Sequence, residues 1–167
     1  WLLTMAEERG EKPQDKVAVS TIVSSAMPDV LARARGFEMR RVLTGFKYIG
    51  DQIDQLKDAG EEDRFLMGFE ESYGYLVGTH ARDKDAIVAT MLCVEMASWY
   101  AARNMDLYEA MDALYQRYGY YLNGVVNAAY PGAEGAAKMA QIMSSLRKNP
   151  LEMVGNYKVV GVTDYAE

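Results

Sequence analysis

Short apolar runs and longer stretches of helical spacing alternate along the first part of the chain. Three short segments are strand candidates, of which the first is β-branched and bounded by polar residues and the third contains the apolar run Phe65-Leu66-Met67. They cover residues 16–25, 38–43 and 64–69. Between them, Ile49, Ile53 and Leu56 repeat at the i, i+4 and i+7 positions of a helix. We therefore expect a short helix over residues 28–36 and a longer one over residues 48–60, each connecting two strands.

The second half of the chain has a mostly helical pattern. Residues 86–102 form a long apolar segment, which is most simply a buried helix. Helical spacing recurs over residues 107–118, after a capping box that begins at Asp106, and again over residues 139–146. Two further strands are expected, at the tyrosine- and valine-rich residues 120–130 and at residues 157–162. The pattern as a whole predicts an α/β fold, a three-layer α/β/α domain with a mixed, mostly parallel sheet of about four strands.

The chain opens without methionine, inside an apolar helical pattern. Trp1, Leu2, Met5 and Ala6 would form one stripe on this first helix. We interpret the opening as part of a longer protein, with an apolar helix face that has lost its partner.

Composition narrows the classes of protein that fit. A net charge of -6 over 167 residues argues against a nucleic-acid or membrane-surface binder, because either would need a basic face. The one cysteine, Cys93, excludes an internal disulfide and fits a reducing, cytoplasmic compartment. No apolar segment has the length of a membrane span.

Polar residues of several kinds gather after the third predicted strand. Glu70, Glu71 and Ser72 come first, and Gly74 and Gly78 follow. Open α/β sheets bind ligands outside the carboxyl ends of their strands. Alternate residues of extended chain share a face, so Glu70 and Ser72 are expected to project together, whereas Glu70 and Glu71 cannot act as an acid–base pair. A carboxylate beside a hydroxyl suits the hydroxyl groups of a polyol.

Three cationic residues precede the long helix. His80, Arg82 and Lys84 would share one side if this segment is extended. Cations are unfavourable at a helix amino end, so gathering them there favours an anion-binding site, with phosphate as the first candidate. Asp83 and Asp85 leave another interpretation open. They could pair with Arg82 and Lys84 or cap the helix, which would make the segment a solvated, charge-balanced helix start.

Three ordered segments carry a family resemblance. The string G-F-E-E-S-Y-G at residues 68–74, with T-H-A-R-D-K-D at residues 79–85, resembles the sugar-binding loop of the α-D-phosphohexomutases, whose motif reads G-E-E-S-x-G or G-E-M-S-G. S-T-I-V-S-S at residues 20–25 and L-T-G-F-K at residues 43–47 agree with the same phosphoglucomutase and phosphomannomutase superfamily in order and spacing. Phe69 departs from the commonest motif and leaves the role of Gly68 open.

The resemblance implies the third, sugar-binding domain of a four-domain enzyme. Such enzymes interconvert hexose 1-phosphates and 6-phosphates through a bisphosphorylated sugar, with a phosphoserine and a magnesium ion. Residues 15–150 would form this domain, residues 1–14 the tail of the preceding one, and residues 151–167 a connector strand toward the fourth. The implied partners are a hexose phosphate and the other domains of the parent chain. The doubled glutamate favours the phosphoglucomutase side of the family.

The motif positions also imply roles for individual residues. The implied substrate-binding residues are Thr44, Gly45, Glu70, Ser72, His80, Arg82 and Lys84. The first two flank the sugar, the glutamate and serine bond its hydroxyls, and the three cations lie near the bridging oxygens or the phosphate. There, His80 and Lys84 would assist catalysis. Lys47 matches the family loop without an implied role.

Two catalytic loops of the family have no counterpart in this sequence. The phosphoserine lies in a T-A-S-H-N-P type loop, and no serine here precedes His-Asn. The metal loop reads D-x-D-x-D-R, of which Asp83-Lys84-Asp85 supplies two aspartates before Ala86. We therefore expect no cofactor or metal in this chain, magnesium in the full-length enzyme only, and no turnover by the chain alone.

A function from a different class stays open. The chain could be a non-catalytic α/β module that binds a phosphorylated ligand. The mutase hypothesis differs from it by requiring the parent gene to encode the serine and aspartate loops upstream and a phosphate-binding loop downstream.

Overall fold

The computed structural model of the chain describes residues 1–165. The helices of this part are α1 (Leu2–Glu8), α2 (Met27–Arg35), α3 (Phe46–Asp58), α4 (Ala86–Ala101), α5 (Leu107–Tyr118) and α6 (Gly132–Lys148). The strands are β1 (Val17–Thr21), β2 (Glu38–Val42), β3 (Phe65–Phe69), β4 (Tyr75–Leu76), β5 (Met153–Val154) and β6 (Tyr157–Lys158). Short 3-10 turns occupy Pro13–Asp15 and Glu62–Arg64.

The principal sheet has four strands in the order β2-β1-β3-β4. Strand β1 pairs in parallel with β2 on one side and with β3 on the other, and β4 pairs antiparallel with β3. Helices α2, α3 and α4 contact strands β2, β3 and β4 respectively. The predicted α/β/α class and the mixed, mostly parallel sheet are confirmed.

The core forms where helix α3 lies on the sheet. Ile49, Ile53 and Leu56, the residues with helical spacing, are almost completely buried. They pack in one cluster with Val17, Val19, Phe46, Phe65 and Leu76. Gly68 of β3 is buried against Ile49, where a β-carbon would collide with the Ile49 side chain. The role that the sequence left open for Gly68 is therefore close packing of a helix on a strand.

Strand β1 is shorter than predicted, because the chain turns after Thr21. The Arg41 guanidinium donates to the carbonyl oxygens of Thr21 and Ser25, at 2.8 and 2.6 Å, and also binds Asp29. These bonds hold the loop that follows β1 against β2 and α2.

The fourth strand of the sheet is not the one that the sequence predicted. Residues 120–130 contain no regular element and are mostly exposed, so the strand expected there is wrong. The edge position beside β3 belongs to β4, whose Leu76 is fully buried. Two residues are too few to show a period, which is why the pattern did not reveal this strand.

Helix α4 is present as expected but is not a buried helix. None of its 16 residues is buried, and Ile87, Met91 and Val94 are 75%, 61% and 63% exposed. An apolar composition all round a helix predicts burial. Within the described residues, its main neighbours are β4 and α5.

Helix α1 buries part of its apolar face within the chain. Leu3 and Ala6 are buried, and the Arg35 guanidinium of α2 pairs with Glu7 at 2.5 Å. The expectation of an unpartnered face is therefore wrong. Of the predicted stripe, Ala6 is buried and the other three residues are partly buried, whereas Leu3 is buried outside it.

The chain divides into two compact units, Trp1–Gly124 and Val125 onward. The second unit contains α6 and a hairpin of β5 and β6, in place of the longer strand expected at residues 157–162. Across residues 1–165, no helix has both the length and the apolar character needed to cross a membrane.

Candidate functional site

Three loops meet at one edge of the sheet because β1, β2 and β3 run in parallel. Their carboxyl ends lead into residues 22–26, 43–45 and 70–74. Each loop contains part of one of the sequence segments 20–25, 43–47 and 68–74. Ligands bind at this edge in open α/β sheets.

Glu70 joins the loops that follow β2 and β3. Its Oε1 accepts a hydrogen bond from the Gly45 backbone N–H at 3.0 Å. The Glu70 N–H donates to the Gly74 carbonyl oxygen at 2.9 Å and closes its own loop. The carboxylate is thus held at the point where α3 begins, with Oε2 left on the side of Lys84.

The loop after β3 is a tight turn and not extended chain. Strand β3 ends at Phe69, and Tyr73 has a positive φ of 63°. The period of two that placed Glu70 and Ser72 on one face therefore does not apply beyond Phe69. Ser72 is exposed on the turn, and its role stays a prediction.

Glu71 faces a different loop from Glu70. Its Oε2 accepts a hydrogen bond from Thr21 Oγ1 at 2.6 Å, and Thr21 Oγ1 lies 3.0 Å from Ser24 Oγ. The two glutamates are bonded to separate loops, as expected for residues that do not act as a pair. Sequence reasoning missed the role of Thr21. Its signal was a polar hydroxyl group in β1, a strand whose five residues are all buried.

Lys84 lies beside Glu70 because residue 74 is glycine. A β-carbon at Gly74 would lie 2.8 Å from Lys84 Cδ and 3.2 Å from Glu70 Oε2. The Lys84 ammonium lies 5.2 Å from the Phe46 ring centroid and 2.6 Å from Asp83 Oδ1. The Asp83 carboxylate, and to a smaller extent Glu70, raise the pKa of Lys84, so the ammonium is charged at neutral pH.

The three cations do not converge on one point. His80 Nε2 lies 2.8 Å from Asp85 Oδ2, and Arg82 Nε donates to Asp54 Oδ1 of α3 at 2.7 Å. Arg82 also donates to the Thr79 carbonyl oxygen. Because residues 78–84 are bent, the expected common side does not form. Each cation has its own aspartate, which matches the charge-balanced interpretation of this segment.

Asp85 is the cap of helix α4. Its Oδ1 accepts hydrogen bonds from the Ile87 and Val88 N–H groups at 2.9 and 3.0 Å. The bond from Val88, and next the one from His80, lower the pKa of Asp85 below its usual value. The helix amino end therefore already has an anionic partner from the chain itself.

The remaining sequence candidates lie at the rim. Thr44 is exposed beside Gly45, and the Lys47 ammonium lies 4.8 Å from the Tyr48 ring centroid. Among residues 1–165, no three histidine, cysteine or carboxylate side chains are grouped as a metal site would need. Asp83 and Asp85 are engaged by Lys84 and by the α4 cap, so the residues present do not fit a magnesium site.

Comparison with known proteins identifies relatives over nearly the whole chain. Residues 1–118 match the family described as phosphoglucomutase/phosphomannomutase, alpha/beta/alpha domain III. A phosphoglucomutase of Staphylococcus aureus is 33% identical over 164 residues, which are 98% of this chain and 29% of the relative. One of Staphylococcus haemolyticus is 32% identical over 153 residues, 92% of this chain and 27% of the relative. The chain thus spans less than a third of these relatives.

Two solved structures share the fold. A Thermus thermophilus protein assigned as a phosphomannomutase has a TM-score of 0.55 and 24% identity, over 71% of this chain and 24% of its own. The Paramecium phosphoglucomutase pp63/parafusin, in its open form, has a TM-score of 0.56 and 22% identity, over 78% of this chain and 22% of its own. At these identities the likeness is one of fold.

Proposed function

The chain belongs to the phosphoglucomutase/phosphomannomutase family, as its α/β/α domain III, and from this premise we propose that it is the sugar-binding domain of a phosphohexomutase. The parent enzyme would interconvert hexose 1-phosphate and hexose 6-phosphate through a bisphosphate. Since the chain spans 29% of its S. aureus relative, the rest of the reaction would depend on other domains of the same parent chain.

One observation carries this proposal: Glu70, Gly45 and Lys84 lie together at the carboxyl edge of the sheet. The Gly45 N–H fixes the Glu70 carboxylate, and Gly74 leaves room for the Lys84 stem beside it. A fixed acceptor next to a charged donor can bind a hydroxyl group and a nearby phosphate of one ligand.

The other candidates take the roles that the motif implies. Ser72 on the exposed turn would bond a second hydroxyl, and Thr44 would flank the sugar. His80 would contact the same ligand from residues 78–84. Both Lys84 and Arg82 would have to leave an aspartate to bind phosphate, and we assign Arg82 the smaller share because it also donates to the Thr79 carbonyl oxygen.

The catalytic groups of the reaction would come from elsewhere in the parent enzyme. The sequence has no Ser-His-Asn string, and the described residues offer no magnesium site. We propose that magnesium binds in the full-length enzyme, that glucose phosphates are preferred because of the doubled glutamate, and that the enzyme is cytoplasmic.

Substitution of Glu70 tests the site. Glu70→Ala should weaken binding of glucose 1-phosphate by about tenfold to hundredfold, the usual loss for a hydrogen bond to a charged group. Glu95→Ala is the matched control, because Glu95 is exposed on α4. Equal affinities for the two variants would overturn the assignment of Glu70.

Turnover by the chain alone provides a separate test. We expect no conversion of glucose 1-phosphate to glucose 6-phosphate by the purified chain with magnesium and glucose 1,6-bisphosphate. Conversion above the level of the Glu70→Ala variant would show that the chain carries catalytic groups that we place elsewhere.

A further inference from the structure

His80 is the one histidine of the chain, and its two ring nitrogens have different surroundings. Nε2 lies 2.8 Å from Asp85 Oδ2. An ionised carboxylate can only accept hydrogen bonds, so Nε2 must carry the proton in this pair. The hydrogen bond from the Val88 amide keeps the pKa of Asp85 low, which favours the ionised carboxylate at neutral pH.

The other ring nitrogen, Nδ1, faces Gly78. A β-carbon at residue 78 would lie 3.2 Å from Nδ1, so glycine at this position avoids a close contact with this side of the ring. The His80 side chain is half exposed. In the neutral ring with Nε2 protonated, Nδ1 has a free lone pair and is a hydrogen-bond acceptor.

Asp85 is held independently of the histidine. Its Oδ1 is bonded to the first turn of α4, and its N–H donates to the Tyr75 carbonyl oxygen of β4 at 2.8 Å. The carboxylate is therefore fixed by a helix and a strand, and Oδ2 is the oxygen that remains for His80. This is the arrangement in which a carboxylate orients an imidazole and selects its tautomer.

We propose that Asp85 is a positioning residue that holds His80 as the Nε2–H tautomer, so that Nδ1 is the ring atom that accepts a hydrogen bond from a sugar hydroxyl. This inference rests on the proposed sugar-phosphate site. It assigns the phosphate to Lys84 and the hydroxyl to His80, and it excludes Nε2 as a ligand contact while the pair with Asp85 is intact.

The single histidine makes the tautomer directly measurable. In an imidazole proton–nitrogen correlation spectrum of the chain, recorded with the ring neutral, we expect a protonated Nε2 and an unprotonated Nδ1. Asp85→Asn keeps an oxygen for the α4 cap, but its amide group would donate to Nε2. The ring should then change to the Nδ1–H tautomer.

Controls separate this effect from a change of fold. Asp83→Asn alters the neighbouring aspartate, which binds Lys84 and not His80, and should leave the tautomer unchanged. The Ile87 and Val88 amide shifts report whether the cap survives in Asp85→Asn. If that variant does not fold, the spectrum of the unaltered chain decides alone. An Nδ1–H tautomer or an unbiased mixture there would overturn the proposal, as would an unchanged tautomer in folded Asp85→Asn.

Addition of glucose 1-phosphate tests the role of Nδ1. The nitrogen chemical shift of Nδ1 should change on binding, while Nε2 keeps its proton. Binding that leaves Nδ1 unmoved would overturn the inference but not the sugar site. Absence of binding would overturn the sugar site and the ligand contact with it, and the tautomer would still decide the role of Asp85.

Discussion

At the scale of single residues, the site depends on how closely Glu70 and Lys84 approach each other. The Glu70 carboxylate is fixed by the Gly45 N–H at 3.0 Å, whereas the Lys84 stem occupies the space that Gly74 leaves, with its ammonium bonded to Asp83. A lysine stem is flexible, so its position is the part of the site most easily altered. One added methyl group at residue 74 is enough to displace it.

Gly74→Ala should therefore weaken ligand binding more than it changes stability. The new β-carbon would lie 2.8 Å from Lys84 Cδ, and φ of Gly74 does not require glycine. We expect a loss of affinity for glucose 1-phosphate of about tenfold, and a free energy of unfolding within about 1 kcal/mol of the unaltered chain. Chemical denaturation and a binding titration measure the two quantities.

Gly124→Ala is the matched control for that substitution, since a β-carbon there meets nothing within 4 Å. Equal affinity in Gly74→Ala and Gly124→Ala would mean that Lys84 does not contribute to the site.

At the scale of elements, helix α3 supports the segment that carries the cations. Gly50 lies inside α3, and a β-carbon there would be 2.7 Å from the carbonyl oxygen of Arg82. The Arg82 side chain is bonded to Asp54 on the same helix. Arg82 is therefore held on α3 through both its backbone and its side chain.

Two considerations predict opposite effects of Gly50→Ala on the free energy of unfolding. Helix propensity alone predicts stabilisation by about 1 kcal/mol. Contact with the Arg82 carbonyl predicts destabilisation by about 1–3 kcal/mol, because backbone cannot move aside as a side chain can. We expect destabilisation in chemical denaturation, with Lys57→Ala at an exposed position of α3 close to neutral. Stabilisation by Gly50→Ala would contradict the described contact.

Helix α4 gives the clearest contrast between pattern and structure. Its apolar residues predict a buried helix, yet Met91 is 61% exposed, whereas Ile53 of α3 is fully buried. Met91→Gln should change the free energy of unfolding of this chain by less than about 0.5 kcal/mol. Ile53→Ala should cost about 2–5 kcal/mol. A loss above about 2 kcal/mol for Met91→Gln would show that the apolar composition was the better guide.

These elements show where sequence reasoning succeeds. The spacing of Ile49, Ile53 and Leu56 predicted the buried face of α3, because one helix face packs on one sheet. Strand β4 could not be predicted, since pairing with β3 and not its own two residues defines it. Residues 120–130 have the composition of a strand, but β4 takes the place beside β3.

The candidate site could be predicted only in part, because the face that a side chain takes depends on the local chain geometry. The motif implied both Glu70 and Lys84 as substrate-binding residues, and Gly74 leaves room for their side chains beside each other. The placement of Ser72, His80 and Arg82 assumed extended chain, and the turn at residues 70–74 and the bends at residues 78–84 remove that premise. The two-residue alternation of side chains predicts which face a residue takes only within the strand itself.

At the scale of the whole molecule, ion pairs and helix caps make the free energy of unfolding depend on pH. Interactions of the folded state lower the pKa of several carboxyl groups: Glu38 mainly through Arg40, Asp83 through Lys84, and Asp85 through the Val88 amide. A carboxyl group whose pKa is lowered by folding stabilises the folded state at pH values above the pKa that the group has in the unfolded chain. That contribution is lost as the pH falls through the folded value.

The free energy of unfolding should therefore fall as the pH drops below about 4, the ordinary range of aspartate and glutamate. Urea denaturation at a series of pH values measures it. Asp85→Asn removes one of the titrating groups and should lose less stability over the same range. Stability that rises from about pH 5 to about pH 3 would contradict this account of the folded-state carboxylates.

The most direct test of the sugar-phosphate site is a map of backbone amide shifts during titration of the labelled chain with glucose 1-phosphate. The three loops at the edge of the sheet and the start of α4 predict the largest changes at Gly45, at residues 70–74 and at residues 80–85. Inorganic phosphate should change the amide shift of Lys84 and leave the amide shifts of Glu70 and Ser72 nearly unchanged. Changes centred elsewhere, or the same changes with phosphate alone, would contradict the assignment of a sugar-binding domain.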